Sequence, residues 1–179
     1  MSTASPSHGG ARVLKVGDAV VYAAHGVGKV VAREKQKDID GAARDCFVVE
    51  LVRGLRVTLP VEGATDRLRA VADESEIEEV GDLLAAEPSD RDGPWPQRLR
   101  ESKSKLAGGC VADLAELVRD GAIVEGPGSR ARLSQAERRL YVQARELLAQ
   151  EIAWVRGIEV DEAEAWIEEQ IAVAERAGE

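Results

Sequence analysis

Apolar and polar residues alternate along Val13 to Tyr22, Val27 to Glu34, Cys46 to Val52 and Leu55 to Leu59. This period of two is the pattern of strands with one buried face. Turn residues separate these runs: Gly17-Asp18, His25-Gly26-Val27-Gly28, Lys37-Asp38-Ile39-Asp40-Gly41 and Arg53-Gly54. Arg67 to Val71 supplies a short fifth strand. Short strands at close spacing predict a small antiparallel Tudor-like β-barrel over residues 12–72.

The period then lengthens. Ser75 and Glu78 read as a capping box opening a helix to about Ala86, with Ile77, Val80, Leu83 and Leu84 on one face. A polar linker, residues 87–93, leads to Pro94-Trp95-Pro96-Gln97-Arg98-Leu99-Arg100 and a basic helix from Pro96 to about Leu106, stopped by Gly108-Gly109. Pro96 suits the start of a helix, and it biases Trp95 away from α geometry, so Trp95 is expected just before the helix. Cys110 to Asp120 follows as a helix, and Gly121 to Arg130 as a loop. Ser134 and Glu137 form a second capping box for the longest helix, Gln135 to Arg156. Its apolar stripe is Leu140, Ala144, Leu147, Leu148, Ile152 and Val155, and Gly157 is its αL cap. Asp161 is the expected cap of a last helix burying Trp166, Ile167 and Ile171. The fold class is therefore α+β: a small antiparallel barrel followed by a compact all-helical C-terminal domain. The divisions are a disordered leader at 1–11, the barrel at 12–72 and the helical domain at 73–179.

Composition narrows the function. The chain has 179 residues and a net charge of −9, which argues against a generic polyanion binder. The charge is uneven. Residues 1–87 hold 11 basic and 15 acidic side chains (−4), residues 88–147 hold 11 and 9 (+2), and residues 148–179 hold 2 and 9 (−7). A nucleic-acid surface therefore has to come from the middle segment. Cys46 and Cys110 fall in apolar stretches and read as small buried hydrophobes in a reducing compartment. No apolar run reaches membrane-spanning length and the start lacks a signal-peptide pattern, so a cytoplasmic protein without membrane contact is expected.

The candidate chemistry is of binding, not catalysis. His25-Gly26-Val27-Gly28 lacks the third glycine of a phosphate loop and precedes a strand where a helix is needed. His8, His25, Cys46 and Cys110 are too scattered for a metal site, no nucleophile–base grouping stands out, and no cofactor is called for. On the long helix, Arg138, Arg139 and Arg145 form a basic strip with Tyr141 between them, suited to phosphate contacts. The strip alone reads more readily as a solvated face whose arginines pair with Glu137 and Glu146. Trp154 and Trp166 belong to apolar stripes and are expected in the core. Trp95 has two readings. It either packs with Leu99 and Leu106, or stands exposed as a wedge beside a base step.

Taken together, several segments resemble the CarD/CdnL family of bacterial transcription regulators. They are Val16-Gly17-Asp18-Ala19-Val20-Val21-Tyr22 with His25-Gly26-Val27-Gly28-Lys29-Val30, then Phe47-Val48-Val49-Glu50-Leu51 and Gly54-Leu55-Arg56-Val57-Thr58-Leu59-Pro60. Trp95-Pro96-Gln97-Arg98-Leu99-Arg100-Glu101 follows, then Leu114 to Asp120, and Leu133 to Leu140 with Ala144-Arg145. Their order and spacing carry the resemblance, from about Leu14 to Gly157. It implies a Tudor-like domain that docks on the β subunit of RNA polymerase, through Lys35, Gln36, Arg56, Val57, Thr58 and Leu59. It also implies a helical domain that touches promoter DNA at the upstream edge of the bubble and stabilises the open complex. Trp95 would be the minor-groove wedge, and Arg98, Arg100, Lys103, Arg138, Arg139 and Arg145 the DNA contacts. The expected protein is a monomeric, non-enzymatic, nucleoid-associated regulator. Ala23 departs from the family's usual proline, Gln97 and Leu99 replace a basic and an aromatic residue, and Thr58 stands where some members are basic. These departures leave open an adaptor that docks on polymerase while its acidic helical domain recruits another regulator.

Overall fold

The computed structural model describes residues 13–37, 39–88, 93–126, 129 and 131–177. The expected leader at 1–11 lies outside the described residues, as do Asp38 of the second hairpin connection, part of the linker before Trp95 and part of the loop before Ser134. Five strands come first: β1 (Ala19–Tyr22), β2 (Gly26–Lys37), β3 (Ala43–Leu51), β4 (Arg56–Pro60) and β5 (Leu68–Ala70). They form one antiparallel Tudor-like sheet in the order β4-β3-β2-β1-β5. Its inner face packs Val20, Val30, Phe47, Val49, Leu51, Leu59, Ala64 and Leu68. On β2 the buried Val30 lies between exposed Lys29 and Val31, whereas on β3 Cys46, Phe47, Val48 and Val49 are buried in succession, so both faces of that strand are covered there. The ladder of β2 and β3 shifts register between Val30 and Ala32, which turns Val31 outward. Beyond the pair Glu34 and Cys46 the two strands run on as a more exposed arm.

Five helices follow: α1 (Glu74–Ala85), α2 (Trp95–Gly108), α3 (Val111–Glu125), α4 (Gln135–Arg156) and α5 (Val160–Ala177). Ile77, Val80, Leu84, Leu114, Val118, Leu148, Ile152 and Ile167 form their shared core. The α4 capping box of Ser134 and Glu137 and the αL cap at Gly157 are as expected.

Several local expectations are corrected. Gly26 already belongs to β2, and a short 3-10 turn at Ala23–His25 makes the reversal. The α1 capping box is Asp73 with Glu76, two residues before the expected Ser75 and Glu78. Aspartate caps as well as serine, and the earlier start adds helical bonds before Ile77. Trp95 does not precede α2 but opens it. Pro94 is the cap residue and Pro96 lies in the first turn, where its missing N–H had no helical partner in any case. Cys110 is exposed at the cap of α3 instead of buried. Gly121 does not begin a loop, because α3 continues to Glu125. A β-carbon at Gly121 would lie 2.3 Å from Tyr141 Cδ2, so the glycine admits that ring. Gly81 gives Trp166 similar room. Asp161 lies inside the first turn of α5, while Glu162 reaches back to the Glu159 N–H at 3.0 Å. Trp154, expected in the core, is 41% exposed.

The two halves are bound to one another. Gly26 meets α4 so closely that a β-carbon there would lie 2.5 Å from Gln150 Oε1, and at Gly109 it would lie 3.0 Å from Ala23 Cα. Arg69 of β5 donates to Gly109 O at 2.7 Å and, through both Nη atoms, to the Glu151 carboxylate of α4 at 2.6 Å. Glu151 also accepts from the Ala72 N–H at 2.9 Å. The strands and helices are thereby fixed in one orientation. Among the described residues no helix is long and apolar enough to cross a membrane, and no cluster of His, Cys, Asp or Glu could hold a metal.

Candidate nucleic-acid and polymerase interfaces

The first turn of α2 is built on Pro94, whose carbonyl accepts from the Gln97 and Arg98 N–H groups at 3.0 and 3.2 Å. Trp95 at the mouth of this helix is 42% exposed. Its ring does not join Leu106 in the core. Trp95 Nε1 donates to Ser134 Oγ at 3.2 Å. Ser134 in turn caps α4: its Oγ accepts from the Glu137 N–H at 3.3 Å, and the Glu137 carboxylate accepts from the Ser134 N–H at 2.9 Å. Arg98 donates to Gly93 O at 2.7 Å and lies 4.0 Å from Glu137. Trp95, Arg98, Leu133, Ser134 and Glu137 line a shallow pocket of about 440 Å³.

The structure thus gathers Trp95 and Arg98 against the start of α4, whereas Arg138 and Arg139 on the same helix line a separate groove toward the sheet. Arg100 and Lys103 are exposed on α2. Lys105 is drawn into an ion pair with Glu116. Arg138 is exposed but paired with Glu125 at 2.7 and 2.9 Å, while Arg139 is exposed with no ion pair among the described residues. Arg145 is placed differently. It bridges to α5, 2.6 Å from Glu168 and 3.4 Å from Glu164. Burial works against its charge, but hydrogen bonds to Glu168 and Tyr141 outweigh that and hold the guanidinium above its usual range. The pairing partners expected from the sequence, Glu137 and Glu146, instead face Arg98 and Arg53.

The sheet presents a second surface. Lys35 and Gln36 are exposed on the β2–β3 arm, opposite Asp45 and Arg44. Arg33 donates to Asp45 at 2.8 Å, and that hydrogen bond holds the Asp45 carboxyl below the usual carboxylate range. Strand β4 is an edge of the sheet, so its outer backbone groups have no strand partner. Arg56 and Thr58 point outward, Arg56 beside Glu50 at 2.9 Å. Val57 is half-buried, and Leu59 is 3% exposed, which leaves only its backbone to offer a partner.

Three features escaped sequence reasoning. Ser134 was legible as a cap but not as an acceptor for Trp95. The Arg69–Glu151 pair joins residues with no shared motif. A groove of about 670 Å³ lies between the β3–β4 turn and α4, lined among others by Leu55, Arg53, Arg139, Val142 and Glu146. Leu55 and Val142 are exposed apolar residues in otherwise polar neighbourhoods, and no single-sequence signal separates them from core positions.

Comparison with known proteins finds two family matches along the chain. The model for the CarD-like/TRCF RID domain matches residues 14–72, and that for the CarD C-terminal domain matches residues 79–168. A Bacillus subtilis (strain 168) protein, described as "Putative transcription factor YdeB", is 25% identical over 147 residues, covering 82% of this chain and 94% of that protein.

Proposed function

The chain belongs to the CarD/CdnL family of RNA polymerase-interacting transcription regulators, and from that membership we propose that it stabilises the open promoter complex through Trp95. In this reading the sheet docks on the polymerase β subunit. The open edge of β4 offers main-chain pairing, with Arg56 and Thr58 beside it and Lys35 and Gln36 on the arm setting specificity. The helical domain then reaches the upstream fork of the bubble, where the Trp95 ring enters the minor groove. Inserting a ring against an unstacked base step opposes its restacking, so the bubble closes more slowly. Arg98, Arg100, Lys103, Arg138 and Arg139 supply phosphate contacts, with Arg145 more remote because α5 holds it. The protein acts as a monomer, without catalysis or cofactor, in the cytoplasm at the nucleoid. Because its net charge is −9, tethering to polymerase supplies the local concentration that a weak DNA surface needs.

The observation that carries this reading is the Trp95 ring, 42% exposed at a helix mouth with basic residues around it. The test is the lifetime of open complexes after competitor challenge. Trp95→Ala is expected to shorten it while polymerase affinity is kept. An unchanged lifetime sinks the wedge.

One observation favours the adaptor reading. Arg138 and Arg145 are paired with Glu125, Glu164 and Glu168, which reduces the charge they present to phosphate. Binding to fork-junction DNA by the protein alone, with affinity falling steeply in salt, counts against the adaptor; an open-complex lifetime unchanged in Trp95→Ala, with polymerase affinity kept, counts for it.

A further inference from the structure

An indole N–H can only donate, so Ser134 Oγ is the acceptor in its 3.2 Å contact with Trp95. The same oxygen accepts from the Glu137 N–H at 3.3 Å. Both lone pairs of the hydroxyl are therefore used, one to start α4 and one to hold the tryptophan. Arg98 reinforces the arrangement from the other side. It donates to the carbonyl of Gly93, two residues before Trp95, and lies beside the Glu137 carboxylate that closes the capping box. The backbone leading into Trp95 and the nitrogen edge of its ring are thus tied to the same helix start.

We propose that Ser134 is a positioning residue for Trp95: the α4 capping box doubles as a clamp that presents the ring in one orientation before DNA arrives. The proposal rests on the wedge reading above. A half-exposed tryptophan without the clamp samples several rotamers, and ordering them on insertion weakens the contact. With Nε1 held on Ser134, that ordering is done in the free protein. The clamp also brings α2 and α4, far apart in sequence, to bear on one base step.

The experiment separates clamp from cap. Glycine is itself an accepted N-cap residue, so Ser134→Gly spares α4 while removing the acceptor for Trp95. Ser134→Thr keeps a hydroxyl. Two readouts are taken on the full chain. The first is the exchange rate of the Trp95 indole N–H in the free protein by NMR, with its signal assigned by loss in Trp95→Phe. The second is open-complex lifetime with polymerase holoenzyme on a promoter fragment. In Ser134→Gly the indole N–H is expected to exchange faster, and the lifetime to fall by about three- to ten-fold, the loss of one neutral hydrogen bond. Polymerase affinity and the thermal transition stay near those of the parent, and Ser134→Thr restores both readouts. A parental lifetime in Ser134→Gly, with a short one in Trp95→Ala, overturns the clamp and leaves the wedge standing. A shortened lifetime with unchanged indole exchange also overturns it, since the effect then comes through α4. A parental lifetime in Trp95→Ala overturns the wedge, and the role of Ser134 with it.

Discussion

Arg69 and Glu151 are joined by two parallel hydrogen bonds of 2.6 Å, although 82 residues separate them in sequence. Glu151 is only 1% exposed, and its carboxylate also holds the Ala72 N–H at the junction of sheet and helices. Removing one member of such a pair strands the other without compensation, at a cost of about 3–5 kcal/mol. Glu151→Ala is therefore expected to lower the melting temperature by roughly 6–20 °C, taking about 2–4 °C per kcal/mol for a chain of this size. Arg69→Ala should cost at least as much, because it leaves the buried Glu151 carboxylate without its cation, whereas Glu151→Ala leaves a guanidinium that is partly exposed to water. A cycle with both changes, followed by thermal unfolding, should show coupling between them. Additive losses count against the pair as the domain lock.

Helix-interior glycine is normally about 1 kcal/mol worse than alanine. At Gly121 the sign is expected to reverse, because an added β-carbon would fall 2.3 Å from Cδ2 and 2.7 Å from Cγ of Tyr141. Gly121→Ala should lose about 1–3 kcal/mol through overpacking. With the ring removed, Gly121→Ala on the Tyr141→Ser background should cost less than on the parent. Urea unfolding of the three variants measures it, and a stabilised Gly121→Ala refutes the close contact.

Both of these features bear on what the sequence could reveal. The strands and the stripe of α4 were legible from their apolar residues, but Cys46 to Val49 and Leu147 to Ala153 are each buried in succession, which no period of two or 3.6 reveals. Capping boxes were legible as a motif, yet at the start of α1 the box is Asp73 with Glu76 and not the expected Ser75 with Glu78. Gly121 and Trp154 were misread for a shared reason. Local pattern treats glycine as a helix breaker and tryptophan as core, while the structure uses the first to admit Tyr141 and leaves the second outside. Of the candidate site, Trp95 and the basic residues of α2 could be named from sequence. The pairing of Arg145 with α5 could not, since it depends on how two helices are turned toward each other.

The Asp45 carboxyl is held below its usual range chiefly by the hydrogen bond from Arg33. A group whose pKa is depressed on folding contributes stability above its unfolded value, and this is lost as pH falls through the folded one. The β2–β3 arm should accordingly loosen at pH values below the ordinary aspartate range, not near neutrality. NMR titration of Asp45 is expected to give a midpoint below that of a free aspartate. Arg33→Ala should move it upward, and an unmoved midpoint assigns the shift elsewhere.

Arg139 and Arg145 sit on the same helix and are expected to behave oppositely. Arg139 is exposed without an ion pair among the described residues, whereas Arg145 spans to Glu164 and Glu168 on α5. If the proposed DNA contact holds, Arg139→Ala weakens binding to fork-junction DNA and reduces the salt slope by about 1, with no change in thermal stability. Arg145→Ala should instead lower stability by about 1 kcal/mol, the scale of a partly exposed bridge, and leave the salt slope intact. Salt-dependent fluorescence anisotropy and thermal unfolding of both variants read the two effects independently. A reduced slope in Arg145→Ala would show that α5 releases this arginine when DNA binds, and would return it to the phosphate-contacting set.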